Sequence, residues 1–419
     1  MNIHTGRQRT AIETQLIEAF DARIGALPGN ADVSAARDLA VENLKLQGLP
    51  TRRVESWHYT DLRTLLRTLP AGGELGSTEF EPLVKDSTVL RLVEGEAQST
   101  KAPEGVTITP LAAKLEDGTF ARALTLLGTD DTIGTINTAF LTNGFHVAIA
   151  ENTALVLPLE VQAIAGAEAH TRLAFNIGKS VKATIIDRQL GGDAFVTGIT
   201  HLMLGEGAEI VWVIDQERSE GAVHFAQFNC EMGKDSKLTL FVMNSGSGLA
   251  RQEIHVDVKG QGAEFKLRGV NLIGGDQFND ITMKLDHSVE NTSSTEIIRN
   301  VVNGRGRGVF QGQIKVKPGA QKTDAKMSCN TLLLSDDAEF SAKPELEIFA
   351  DDVVCGHGAT VTEIDRNHLF YLMARGVPEA DARGLLVKAF IAEIIQELDD
   401  EPLVDALETR LTNWLEVHA

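Results

Sequence analysis

The sequence predicts a mainly β fold, a coil of short strands stacked as a β-helix, with helical regions at both ends. Three observations carry this. Small or turn-forming residues recur at Gly178-Lys179-Ser180, Gly207-Ala208-Glu209, Asp235-Ser236-Lys237, Gly262-Ala263-Glu264, Glu290-Asn291-Thr292 and Gly319-Ala320-Gln321, in steps of 29, 28, 27, 28 and 29 residues. A steady period in the range of about 20–50 residues marks a solenoid, whereas a large sandwich spaces its turns more loosely. The runs between these turns, such as Ala183-Thr184-Ile185-Ile186 and Ile210-Val211-Trp212-Val213-Ile214, are short and β-branched. At both ends the apolar spacing changes to three and four residues, the spacing of a helix. A single coil cannot bury its inner face alone, so coils stack and the ends need caps.

In chain order, Ile12, Leu16, Ile17, Phe20 and Ile24 predict a first helix over Thr10 to Ile24, stopped at Pro28-Gly29. A second helix runs from about Val33 to Gln47 and stops at Gly48-Leu49-Pro50. The stretch Pro50 to Leu62 holds Trp57, Tyr59, Arg52, Arg53 and Glu55, and reads as an anchor with packed rings and charges paired at the edge. Residues 70–110 read as loop and short strand, and Leu111 to Leu127 as a helix. The expected organisation is an N-terminal region over 1–145, a β-helix core over 146–364 and a helical C-terminal domain over 365–419. The last comprises Arg366 to Arg375, Glu379 to Leu398 and Leu403 to about Val417. The middle helix carries a broad apolar stripe that includes Leu385, Leu386, Phe390 and Ile394. Such a stripe packs on the core or seats a partner.

Composition excludes several function classes. The chain has 39 basic and 59 acidic residues, a net charge of −20. Nucleic acid and anionic membranes need clustered Lys and Arg, so neither is expected as a partner. Three cysteines, Cys230, Cys329 and Cys355, are too few for a disulfide framework and point to a reducing compartment. The first seven residues lack the apolar segment of a signal peptide, and no run of 18 apolar residues occurs. The expected location is the cytoplasm. A phosphate-binding Gly-x-x-x-x-Gly-Lys-Ser/Thr motif is missing, so the chain is not expected to be an ATPase itself. Gly304-Arg305-Gly306-Arg307-Gly308 has no helix after it and reads as a cationic coil corner. The acid pairs Asp336-Asp337 and Asp351-Asp352 read as solvated turns. Their alternative use, binding Ca²⁺ as in β-helical polysaccharide lyases, belongs to a secreted enzyme class.

One short segment stands apart: Cys355-Gly356-His357-Gly358-Ala359-Thr360. Residues two apart on a strand share a face, so Cys355 and His357 present sulfur and nitrogen side by side. That is the donor pair of a soft-metal or cluster site. Against it stands the ordinary use of a cysteine as a small buried hydrophobe. Two ligands do not close a site that needs about four, so a partner chain would have to complete it.

Three blocks carry a family resemblance: Gly48 to Thr60, with Glu55-Ser56-Trp57-His58-Tyr59; Arg299 to Asp324, with Gly308-Val309-Phe310-Gln311-Gly312 and Ala320-Gln321-Lys322-Thr323-Asp324; and Ala350 to Thr360. Together with the C-terminal helices they resemble the SufB/SufD family of iron–sulfur cluster assembly proteins, and the length and sparse cysteines lie nearer the SufD side. The resemblance implies a right-handed parallel β-helix flanked by helices. It implies a non-catalytic scaffold that pairs with a SufB-like paralogue and docks a SufC-like ABC ATPase on the stripe of Leu385, Leu386, Phe390 and Ile394. It implies an iron–sulfur cluster held transiently at the interface, with His357 as candidate ligand and Cys355 in the matching cysteine position. No cofactor is then tightly bound to the isolated chain, while a flavin in the complex and a homodimer of the isolated chain stay open. A SufB-type role, holding the cluster alone, is harder to build from three scattered cysteines.

Overall fold

A computed structural model describes residues 8–418; the seven N-terminal residues read above for a targeting signal lie outside them. The core is a parallel β-solenoid whose coils alternate between a ten-stranded and a nine-stranded sheet. Neighbouring strands match residue for residue. Glu264, Ser293, Asp324 and Val354 stand in one column of the ten-stranded sheet, each opening its strand. The sequence period has a backbone cause. At one corner of successive coils, Asn152, Ser180, Gly207, Asp235, Gly262, Asn291 and Lys322 adopt left-handed φ values of 60°, 52°, 68°, 52°, 76°, 56° and 62°. Gly, Asn and Asp tolerate that conformation best and fill five of the seven corners, Ser180 and Lys322 being the others. Each of these N–H groups donates to a carbonyl one coil further on, as from Ser180 to Glu206 and from Asp235 to Gln261.

The interior is mostly aliphatic, with an edge-to-face aromatic series of Phe175, Trp212 and Phe228. One polar row crosses it. Asn244 donates to Asn271 (2.9 Å), Asn271 to Asn300 (2.7 Å) and Asn300 to Thr331 (3.0 Å), so buried amides satisfy one another from coil to coil. The Gly304–Gly308 segment is a turn between two strands, with Arg305 paired to Asp276.

The solenoid begins upstream of residue 146. Strand Thr88–Val93 pairs in parallel with Leu159–Ala165, and Asn143–Ile149 is the first parallel strand of the other sheet, with Val106–Pro110 antiparallel at its edge. Helices Ala11–Arg23 and Ala31–Gln47 form as read; the first is closed by a capping box of Thr10 and Glu13. The helix expected over Leu111 to Leu127 ends at Glu116, because Gly118 turns left-handed (φ 76°), and only a short turn of 3-10 helix follows. A buried helix, Thr132–Phe140, was not legible in the sequence. The anchor reading of Pro50 to Leu62 holds for the ring and for Glu55: Trp57 is fully buried and stacked 3.8 Å beneath the Arg251 guanidinium on the nine-stranded sheet, and Glu55 pairs with Lys343 at the edge. At the other end, helices Glu379–Ile395 and Glu401–His418 lie along the ten-stranded sheet, tied by Arg268 to Glu397 and Arg410 to Glu217.

Candidate functional site

The coil formed by Glu339–Ile348 and Val354–Glu363 ends both sheets and has a neighbour on one side only. Side chains that would face the interior in any earlier coil therefore meet solvent here. Ile348 and Val361 are 41% and 45% exposed, as are the nearby Phe349 and Val354 at 57% and 62%. Cys355 stands opposite Ala325 and His357 opposite Met327, two fully interior positions. Cys355 and His357 thus share the inward face, as strand alternation requires. Cys355 is half-buried against the core, and His357 is exposed at the mouth.

Burial pushes the Cys355 thiol up, and nearby Asp324 and Glu296 push it further. It rests as a thiol, and binding a metal would have to displace its proton. Among the described residues no three His, Cys, Asp or Glu side chains converge on one point. The donors present fit part of a soft-metal site and leave it open. Cys329 is fully buried, its thiol pushed up to about 12, and it accepts from the Asn300 amide (3.4 Å). Cys230 is equally interior, with its thiol raised by burial. Both belong to the core. Asp336 and Asp337 lie in an exposed turn, and Asp352 pairs with Lys322.

On the middle C-terminal helix the apolar stripe divides. Ile394 is buried against the ten-stranded sheet, in a cluster with Val270 and Val301. Leu386 and Phe390 line a cavity of about 790 Å³ that is also bounded by Thr360, Val361, Arg366 and His368. The Arg299 guanidinium covers the Phe390 ring at 4.9 Å. Leu385 is 53% exposed. Beside it, helix Arg366–Met373 buries no residue, and Phe370 and Tyr371 face solvent. A docking face made from this region draws on Leu385, Phe370 and Tyr371. Sequence reasoning missed the latter two, although five consecutive apolar residues, Leu369 to Met373, cannot all share one helix face. It also missed Phe349, Val354 and Val361, whose inward or outward periodicity looks the same in an end coil as in an inner one.

The fold is a parallel β-solenoid with helical ends and an uncovered last coil, and comparison gives it a family. The family model described as SUF system FeS cluster assembly, SufBD core domain, matches residues 161–390, and the chain belongs to this family. Within it, the chain is similar to the iron–sulfur cluster assembly protein SufD of Escherichia coli K12, 28% identical over 391 residues, 88% of this chain and 90% of that protein. A SufBD family protein of Synechocystis is 27% identical over 90% of this chain and 92% of its own length.

Proposed function

We propose that this chain is a SufD-type scaffold subunit for iron–sulfur cluster assembly, working in the cytoplasm and carrying no bond-breaking residue of its own. The observation that supports it best is the last coil: an exposed apolar edge with a sulfur and an imidazole at its mouth, too few to hold a metal alone. A second solenoid end supplies what is missing. Unpaired edge strands recruit a further strand readily, and a SufB-like paralogue of the same architecture is the matching partner. Added side chains at Gly356 and Gly358 would meet nothing in this chain, which leaves the outer face of the strand open to close approach. The cluster is cargo, bound at the seam through His357, with Cys355 beside it on the same face. A SufC-like ATPase seats on the C-terminal helices, from which nucleotide-driven movement strains the seam.

His357→Ala should leave the three-subunit complex assembled but lower its iron and acid-labile sulfide, after anaerobic reconstitution, by about tenfold in affinity for the cargo. Unchanged iron and sulfide would remove His357 from the site. Leu385→Asp should release the ATPase partner, by about 2 kcal/mol or more if Leu385 is central to the contact. Its thermal midpoint should stay where it is, since the side chain is already exposed. A retained ATPase in pull-down would move docking elsewhere.

A further inference from the structure

Along the solenoid, exposed lysines stand beside carboxylates of the neighbouring coil, as Lys179 does with Glu206, Lys182 with Glu209 and Lys315 with Glu347. One place departs from this pattern. The turn that follows Pro50 presents Arg52 and Arg53, both exposed, and among the described residues neither guanidinium has a hydrogen-bond or ion-pair partner. The anchor uses Trp57 and Glu55, and the pairing expected of its two neighbouring arginines does not form.

Both arginines line an open cavity of about 570 Å³, which has Leu49, Pro50 and Val54 as its apolar wall. A third cation, Arg63, reaches the same cavity from the short helix Leu62–Leu65. It is half-buried and already fixed. Its Nη2 donates to the Gln8 carbonyl (2.6 Å), and its Nε lies 3.5 Å from the buried Glu13 carboxylate. A cation held in place before a ligand arrives loses little freedom on binding it. One carboxylate, Asp61, also lines the cavity, and it accepts from the Thr64 N–H (3.2 Å). Three guanidinium charges against Asp61 and Glu13 leave the cavity with one net positive charge, on a chain whose total is −20.

We propose that this cavity binds the phosphate group of a small phosphorylated ligand through Arg52, Arg53 and Arg63. A guanidinium fork bonds two oxygens of an oxyanion at once. Forks that arrive from two separate segments, the turn and the short helix, suit a tetrahedral phosphate better than a planar carboxylate, which one fork in its own plane already satisfies. The volume lies in the range of small-ligand pockets and leaves room for the body of the ligand against the apolar wall. A nucleic acid does not fit: its many phosphates need an extended basic track, and the acidic remainder of the chain repels them. The site uses neither Cys355 nor His357, so it stands apart from the reading of the last coil.

Isothermal calorimetry of the full chain with inorganic phosphate and with pyrophosphate at low salt reads the site directly. Pyrophosphate should bind saturably and more tightly than phosphate, and both should weaken as salt rises. Arg52→Gln and Arg53→Gln should each weaken binding by about tenfold or more, the effect of losing one hydrogen bond between charged groups. Neither should move the thermal midpoint, because both side chains are exposed and without partners. Arg67→Gln removes the same charge from an exposed neighbour outside the cavity and should leave binding unchanged. The absence of saturable binding, an equal loss in Arg67→Gln, or tighter binding of citrate than of pyrophosphate overturns the proposal.

Discussion

Arg251→Ala should destabilise the protein by about 3–5 kcal/mol, read as a fall in the urea midpoint. The guanidinium is fully buried. It binds Asp280, donates to Glu253 (2.9 Å) and to the Ser56 carbonyl (2.7 Å), and covers Trp57. Its removal strands two buried carboxylates and detaches the N-terminal anchor from the nine-stranded sheet. Thr60, which also donates to Asp280, cannot replace the charge. The deficit should depend on pH with a definite sign. Burial opposes ionisation of Glu253, but Arg251, His255 and Gln227 together lower its pKa from 4.5 to about 2. Stability from a depressed carboxyl is present above its unfolded value and lost as pH falls toward its folded one. The gap between the two proteins should therefore narrow between about pH 4.5 and 2. Arg251→Ala combined with Asp280→Ala should cost less than the two single changes summed, because the double change leaves one fewer unpaired charge. A midpoint shift below about 1 kcal/mol would mean the anchor is held by ring packing alone.

Val361→Lys should have the largest effect on association. Val361 lies on the inward row of the last strand, opposite buried Thr331, and is 45% exposed. In the isolated chain the ammonium reaches water, so stability should change by no more than about 0.5 kcal/mol. Once a second solenoid covers the coil, the same charge is desolvated without a partner. Affinity for the paralogous subunit should then fall by about 30- to 100-fold in isothermal calorimetry, equivalent to about 2–3 kcal/mol. Unchanged affinity would place the contact on another surface.

These two residues show how far the sequence reading reaches. The coil period was legible because a left-handed corner favours particular residues, and such residues recur at Gly207, Asp235, Gly262 and Asn291, whereas the last corner residue, Lys322, lies one place beyond the triplet that marked it. The anchor around Trp57 was legible as an anchor, since a Trp with paired charges has few other uses. Its receptor was not: Arg251 and Asp280 lie about two hundred residues downstream, and their burial is a property of the folded pair. The start of the solenoid was hidden for a related reason. Thr88–Val93 and its parallel neighbour Leu159–Ala165 are separated by a hairpin, three short helical pieces and a strand pair, which break the period. At the candidate site, strand alternation placed Cys355 and His357 on one face correctly. Helical spacing alone did not separate buried Ile394 from exposed Leu385, because a broad stripe on a surface helix has a centre and two flanks.

The last coil has one further consequence. In a stacked repeat, each unit owes its order to the neighbours on both sides, so an end unit held from one side opens more cheaply than those within. The coil that carries the thiol and imidazole, bounded by a neighbour on one side only, should therefore open more readily than the coils within. A second chain would do more than add donors there. By turning an end into an interior it would give the last coil a neighbour on both sides, so that adding donors and stiffening that coil would become the same event.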